Sequence, residues 1–493
     1  MNYFLKLGTV SFLIVVLISC KTTVKSNKIA ATKPNIILII ADDMNGYAIK
    51  KQYPLIQTPN LEKLISEGIL FENAACNSPV CNPSRSSFFS GLYPHTTGAY
   101  MNGSDGWNRS EILKTIKSIP EHFKEQGYET WGAGKLYHNQ IEPEREKNTW
   151  DNYPVYQGGF GPFPEKDYWF GGNNFFSIKP WEDPDTDFPD VKNANAAIDF
   201  LNKNHEKPFL MVYGLWRPHS PYTAPKRFFE QYDGVDFPLP KGYKENDFED
   251  VPFLGQMLVD SLSKFRDKKE LSIPLWKKFL KAYAANYSFA DDNIGKVINA
   301  LDKSNYAKNT IVIFYSDNGF HNGEKMRWGK ATLWEQADYV PFIIRTPNKK
   351  RAVSKATVSL IDIYPTLVEY AGVKKPTHLL DGNSLVPLLK NPNLQWNHPS
   401  FTSYGEKYAS IRNERYRYLN YPDGTEELYD LLNDPYEWTN IANDKNVEKI
   451  KEELKKQMPE KWAPTLGGRL EVPRDYKKVM RPGMLNAPKA NGS

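Results

Sequence analysis

The densest reactive chemistry in this chain sits in Val80-Cys81-Asn82-Pro83-Ser84-Arg85. Pro83 and the Ser-Ser-Phe-Phe-Ser-Gly run that follows Arg85 read as a helix start, with proline in the first turn. Free N–H groups at such a terminus favour anions, and Arg85 adds a two-pronged donor for an oxyanion. A cysteine placed there is expected to be acidic and reactive. The competing reading is a buried structural cysteine beside a surface arginine, and these residues alone leave both open. Two further pairs, Asp42-Asp43 and Asp317-Asn318, offer only oxygen ligands, a set that favours Ca²⁺ or Mg²⁺ over zinc. The low histidine count, 8, and the lack of clustered thiols point the same way. Basic residues complete the inventory in Gly134-Lys135-Leu136-Tyr137-His138 and Trp216-Arg217-Pro218-His219.

Each of these groups follows an apolar run. Residues 34–41 and 310–316 are continuous and β-branched, which suits strands buried on both faces of a parallel sheet. Residues 208–214 form a third run and 129–133 a weaker fourth. Helical spacing fills 60–67, 119–126, 194–202 and 279–301. Strands alternating with helices predict an α/β chain with a large, mainly parallel sheet flanked by helices. Ligands of such sheets sit beyond the carboxyl ends of the strands. One Asp-Asp pair after a strand is ordinarily a turn or cap; four polar strand ends are hard to dismiss as such.

Composition excludes several classes. The chain has 493 residues, 40% hydrophobic and 25% charged, which is globular rather than disordered, fibrous or multispan. A net charge of +5 is too small at this length to argue for nucleic acid, and none is expected as a partner. Three cysteines, Cys20, Cys76 and Cys81, exclude a disulfide scaffold. The 12 Trp and 29 Tyr suit sugar-stacking surfaces but also an ordinary core.

The first 20 residues carry Lys6, an apolar run over 7–18, and Ser19 before Cys20. The run is about half of the roughly 20 residues a membrane span needs, so it reads as a signal peptide. Leu17-Ile18-Ser19-Cys20 resembles a bacterial lipobox, implying a lipidated Cys20, a tether over 21–32, and a membrane-anchored protein facing the periplasm. No acidic cluster follows Cys20 to direct it to the outer surface, which stays open. In an oxidising compartment Cys76 and Cys81 could pair.

Cys81-Asn82-Pro83-Ser84-Arg85 followed by Ser90-Gly91 resembles the signature of type I sulfatases of the alkaline phosphatase superfamily. In that family the cysteine is converted to formylglycine (3-oxoalanine). The resemblance continues in order through Asp42-Asp43, Gly134-Lys135-x-x-His138, Arg217-Pro218-His219, Asp317-Asn318-Gly319, Trp328-Gly329-Lys330, Ile361-Asp362-Ile363-Tyr364-Pro365 and Glu427-Leu428-Tyr429-Asp430. The Lys-x-x-His and Arg-Pro-His elements are most similar to the iduronate-2-sulfatase branch. Two departures are mild: Phe88-Phe89-Ser90-Gly91 replaces the usual Leu-x-Thr-Gly tail, and Asn318 stands where some relatives have His.

The resemblance implies a role for each matched residue. Converted Cys81 supplies a hydrated aldehyde that attacks sulfur and helps bind one Ca²⁺ with Asp42, Asp43, Asp317 and Asn318. Arg85 and Lys135 hold the hydrate. His138 takes a proton when sulfate is expelled. His219 and Lys330 bind sulfate with Lys135, and either protonates the leaving alcohol. His321, near the metal loop, is a candidate substrate reader. Conversion of Cys81 also leaves Cys76 without a partner.

The resemblance further implies a fold with a catalytic domain over 33–375, a smaller C-terminal α+β subdomain with an antiparallel sheet over 376–480, and a tail over 481–493. Implied partners are a formylglycine-generating maturation enzyme and a sulfated carbohydrate, either an algal glycan such as ulvan or a glycosaminoglycan. The insertion over 150–190, with Tyr168-Trp169-Phe170-Gly171-Gly172, is a candidate sugar subsite or a packed loop. Rival functions are a phosphoester hydrolase of the same superfamily and a non-catalytic glycan-binding lipoprotein.

Overall fold

In a computed structural model of the chain, the strand Asn35–Asp42 (β1) is buried at all eight positions and lies inside the large sheet between two parallel neighbours. The structure describes residues 33–50, 52–153, 158–163, 177–182, 184–245, 247–260 and 273–467. The signal, the tether and Cys20, the aromatic stretch 168–172 and the tail over 481–493 lie outside the described residues. Among the described residues no helix is long and apolar enough to cross a membrane.

In chain order the later strands are β2 (Ile69–Ala75), β3 (Glu129–Gly134), β4 (Ile178–Trp181), β5 (Phe209–Pro218), β6 (Tyr222–Pro225), β7 (Thr310–Ser316), β8 (His321–Asn322), β9 (Trp328–Gly329), β10 (Phe342–Arg345) and β11 (Ala352–Ser359). Four more, β12 (Ser400–Ser403), β13 (Ala409–Arg412), β14 (Tyr416–Asn420) and β15 (Glu426–Asp430), close the list. Seven strands form one sheet in the order β11-β2-β10-β7-β1-β5-β3. It is mixed: β10 runs antiparallel to both its neighbours, and the other pairings are parallel. Strand β10 has four residues and β2 carries Glu72 and Asn73 in its middle, so neither offers the long apolar run that marks the other strands.

Alternation along β1 sorts its side chains between two cores, as a period of two demands. Ile37 and Ile39 pack with the long helix Ile273–Lys303 on one face. Ile36, Leu38 and Ile40 pack on the other, with Phe88 and Phe89 of the helix Cys81–Ser90 and with the helix Ile363–Ala371. Register does the positioning: Ala41 lies opposite Ser316 and Ile40 opposite Gly214, while Gly134 also lies opposite Gly214. The loops after β7, β1, β5 and β3 therefore leave the sheet at one level.

The second sheet, β12-β13-β14-β15, is antiparallel. It meets the large sheet through a buried ionic knot. Arg417 of β14 is fully buried and binds Asp338 and Glu335, with Nε 2.7 Å from Glu437. Thr402 Oγ1 donates to the Cys76 carbonyl and to Asp338, each at 2.6 Å.

Gly134 shows how tightly the site's floor is built. Its φ is +81°, and a Cβ there would lie 1.9 Å from the Gly214 carbonyl oxygen. Gly134→Ala is expected to cost roughly 2–4 kcal/mol, from backbone strain and overpacking together. The check is a lower urea midpoint, with turnover falling as well because Lys135 is the next residue.

Candidate active site

Asp42 and Asp43 end β1, Asp317 and Asn318 follow β7, and Cys81 opens its helix. Ligand atoms of Asp42, Asp43, Cys81 and Asp317 all lie within 4.8 Å of one another, and all four residues are buried. Asp43 adopts φ +60°, costly for a residue with a Cβ. Tyr283 Oη donates to its carbonyl at 2.8 Å, and the Asp43 N–H donates to Asp317 Oδ1 at 3.3 Å. Asn318 Nδ2 donates to Asp43 Oδ1 at 2.7 Å, while Asn318 Oδ1 is buried with no hydrogen-bond partner. Converging carboxylates beside an orphaned amide oxygen are a donor set for a hard divalent cation. The residues fit such an ion.

The helix Cys81–Ser90 starts after extended Val80 and ends on Gly91 in the left-handed region, with every residue buried. Ser84 Oγ donates to the Asp317 carbonyl at 2.6 Å, tying its first turn to the acidic loop. Cys81 Sγ lies 3.3 Å from Asp42 Oδ1 and 2.7 Å from Lys330 Nζ. Burial, then the Asp317 and Asp42 carboxylates, push the thiol well above its ordinary range despite Lys135 and Lys330. This corrects the expectation of an acidic cysteine: here adjacent carboxylates outweigh the helix terminus. Cys76 is a separate buried thiol, 3.6 Å from Asp338 Oδ1.

Four cationic or imidazole groups close around the acids. Arg85 is wholly buried, its Nε 2.7 Å from Asp317 Oδ2, and it donates to the Lys135 and Leu136 carbonyls. Lys135 pairs with Asp42, and Lys330 with Asp43. His219 Nε2 stands 3.6 Å from Asp43 Oδ2. Burial would raise the Asp42 carboxyl, but Lys135, His219 and Lys330 hold it below its ordinary value. Burial lowers His219 against the pull of Asp43 and Asp42. For Lys330, burial pulls down but Asp43 and Cys81 dominate, so its proton is held firmly. His138, at φ +74°, is driven well below its ordinary range by burial, Lys135 and Arg85, and its Nδ1 has no hydrogen-bond partner. It is neutral and able to accept a proton.

His321 does not join this group. It is fully buried in β8, its Nε2 is 2.7 Å from Thr332 Oγ1, and burial and Arg327 keep it neutral. The structure thus places this expected substrate reader against Thr332 and outside the acidic cluster. Phe160 and Asp190, which sequence patterns did not single out by residue, also matter, together with Arg217. Phe160 tilts against His219 with ring centroids 4.3 Å apart, and its ring lies 5.1 Å from Lys135 Nζ. Arg217 Nη2 donates to the Phe160 and Gly161 carbonyls, which holds that aromatic cap in place. Asp190, pushed up to about 6 by burial despite Arg217, accepts from the Trp216 N–H at 2.7 Å. Asp190 sits in the first turn of a helix, where an acid is routine.

A family profile described as sulfatase matches residues 34–373. The chain belongs to the sulfatase family. A second profile, the N-sulphoglucosamine sulphohydrolase C-terminal region, matches residues 323–463. A sulfatase of Formosa agariphila is 35% identical over 477 residues, covering 93% of this chain and 92% of the relative. An ulvan-active sulfatase of the same organism is 28% identical, covering 93% and 87%. Iduronate 2-sulfatase of Homo sapiens is 27% identical, covering 69% and 70%. A solved structure of a protein with its substrate D-glucosamine-2-N,6-O-disulfate superposes with a TM-score of 0.67 at 23% identity, over 86% of this chain and 96% of that one. The chain is thus a sulfuric ester hydrolase with the sulfatase fold and its C-terminal antiparallel sheet.

The acidic cluster yields a direct prediction. After chelation, calorimetry should show one high-affinity divalent site per chain, with Ca²⁺ preferred to Zn²⁺. Asn318→Ala and Asp43→Asn should each weaken binding by at least about ten-fold. Unchanged affinity in both variants would show that the ion sits elsewhere.

Proposed function

We propose that this sulfatase is exported and removes sulfate esters from a sulfated polysaccharide or oligosaccharide, using formylglycine made from Cys81 and a bound Ca²⁺. One observation carries the proposal: a buried cysteine at a helix start lies among three carboxylates, Arg85, Lys135 and Lys330. Asp42, Asp43, Asp317, Asn318 and converted residue 81 would hold the ion. Bound there, Ca²⁺ supplies charge that polarises sulfate oxygens and favours the hydrated aldehyde.

The chain's own groups carry the remaining steps. Cys81 Sγ marks where the attacking oxygen stands, and Lys330 Nζ, 2.7 Å away, touches both that atom and the space for sulfate. Lys135 and Arg85 neutralise charge building on the nucleophile side. Neutral His138 accepts the proton of the second hydroxyl as sulfate departs. His219 and Lys330 face the leaving oxygen, and one of them donates its proton there. Phe160 over Lys135 and His219 keeps water out and strengthens each charge interaction. The glycan assignment is supported by the ulvan-active relative and by the glucosamine disulfate bound in the structural neighbour. Export with lipidation at Cys20 is supported by the N-terminal sequence. The phosphoester alternative needs a Ser or Thr nucleophile and several histidine ligands, and His321 is committed to Thr332.

Peptide mass measurement on protein from its native host tests three features together. Residue 81 should carry the mass of an aldehyde in place of a thiol, Cys81→Ala should abolish turnover, and the mature N-terminus should be lipidated Cys20. An unmodified Cys81 in active protein refutes the mechanism.

The leaving group separates the cations. Loss of one preorganised donor typically costs 10²–10³ in turnover, or roughly 3–4 kcal/mol, so Ala variants of Arg85, Lys135, His219 and Lys330 should all be crippled on sugar sulfates. An activated aryl sulfate, whose alcohol departs unprotonated, should partly rescue only the variant lacking the general acid. Equal losses on both substrate types for His219→Ala and Lys330→Ala would remove both from that role.

A further inference from the structure

Beside the sulfate site lies a second hollow that shares Lys135 and His138 with it. This cavity of about 160 Å³ is lined also by Gln140, Glu146, Tyr153 and Trp216. It opens at the carboxyl end of β3, so a group held there is attached directly to whatever Lys135 and His138 grip. Its walls are aromatic: Trp216, 5% exposed, and Tyr153, which stacks on Trp150 with centroids 6.1 Å apart.

Its polar groups are unspent donors and one anion. Trp216 Nε1 and His138 Nδ1 are both buried without a hydrogen-bond partner, a state that a bound hydroxyl group would relieve. Among the described residues, Glu146 is the only carboxylate of the lining. The only cation of the lining, Lys135, is already neutralised by Asp42.

We propose that this hollow seats the sugar ring bearing the sulfate ester, and that Glu146 restricts it to rings without a carboxylate. The aromatic walls take the C–H face of a pyranose, and Trp216 and His138 address its hydroxyl oxygens. Glu146 accepts from its hydroxyl groups. A uronate would place a second carboxylate against Glu146, where the described lining offers no cation besides Lys135, a repulsive element of the kind that sets specificity. Hexose, deoxyhexose and N-acetylhexosamine sulfates meet no such penalty. This inference rests on the sulfatase reading above.

The test uses matched pairs that differ only at C6: methyl glucoside and methyl glucuronoside sulfated at position 2, 3 or 4. The full-length, matured enzyme is assayed by sulfate release, with 4-nitrophenyl sulfate alongside. In the pair that is turned over, kcat/KM should favour the glucoside by about ten-fold or more. Glu146→Gln should bring that ratio close to one, and Glu146→Lys should invert it. Trp216→Phe, which keeps the ring and removes the donor, should raise KM for the glucoside more than it lowers kcat. Glu146 is half-buried on a surface helix, so its variants are expected to fold. The proposal is overturned if the wild type prefers the uronide, if Glu146→Gln leaves the ratio unchanged, or if 4-nitrophenyl sulfate is cleaved while no sugar ester is. Failure on 4-nitrophenyl sulfate and on every sugar ester alike would instead overturn the sulfatase reading itself.

Discussion

Three carboxylates, Asp42, Asp43 and Asp317, are buried within a few ångströms of one another at the ends of two adjacent parallel strands. Unpaired, such charges would be prohibitively costly to bury. The structure around them answers that cost with Arg85 against Asp317, Lys135 against Asp42 and Lys330 against Asp43. On the proposed mechanism, these same cations surround the place where a second anion, the sulfate group, sits. The charges that make the acidic cluster tolerable are thus already aimed at the substrate, and little reorganisation is needed when it arrives.

Holding those groups depends on elements remote from the chemistry. The short helix Glu335–Asp338 braces both reactive loops through its backbone. Gly319 N–H, next to Asn318, donates to the Ala337 carbonyl, and Cys76 N–H, upstream of Cys81, donates to the Asp338 carbonyl. Arg417 from the C-terminal sheet binds the side chains of Glu335 and Asp338 in turn. Removing one member of a buried ionic knot leaves the others uncompensated, so the C-terminal sheet is structurally coupled to the nucleophile loop and to the metal loop. The Ala331 N–H, bonded to the Pro79 carbonyl, ties the Lys330 loop to the same frame.

On the proposed reading, substrate discrimination falls to the far side of Lys135. The sulfate side of that residue is polar and charge-balanced, whereas the other side is walled by Trp216 and Tyr153. Phe160, held by Arg217, separates the two regions and leans on His219. A division between an electrostatic half that binds any sulfate and an aromatic half that reads the attached ring lets one reaction serve many substrates by changing loop residues alone.

Much of this was legible in the chain itself. Long β-branched runs such as residues 34–41 and 310–316 can only be buried strands, so β1 and β7 and the acids that end them followed from hydrophobic burial. Cys81, Pro83 and Arg85 likewise marked a helix start that the structure reproduces. Tertiary structure decided what depends on neighbours distant in sequence. The thiol of Cys81 is disfavoured as an anion because burial desolvates it and Asp317 and Asp42 stand beside it, although the local signal predicted the opposite. His321 lies four residues from Asp317 yet turns into the protein to meet Thr332, because β8 pairs with β9 and carries it away. The placement of β10 and β2 in the sheet, the role of Phe160 and the grip of Arg417 on the Glu335–Asp338 helix had no local signal either. Burial and periodicity are properties of a segment, whereas pKa, partner and pocket are set by packing between segments, and that difference separates what the sequence by itself determined from what only the fold could decide.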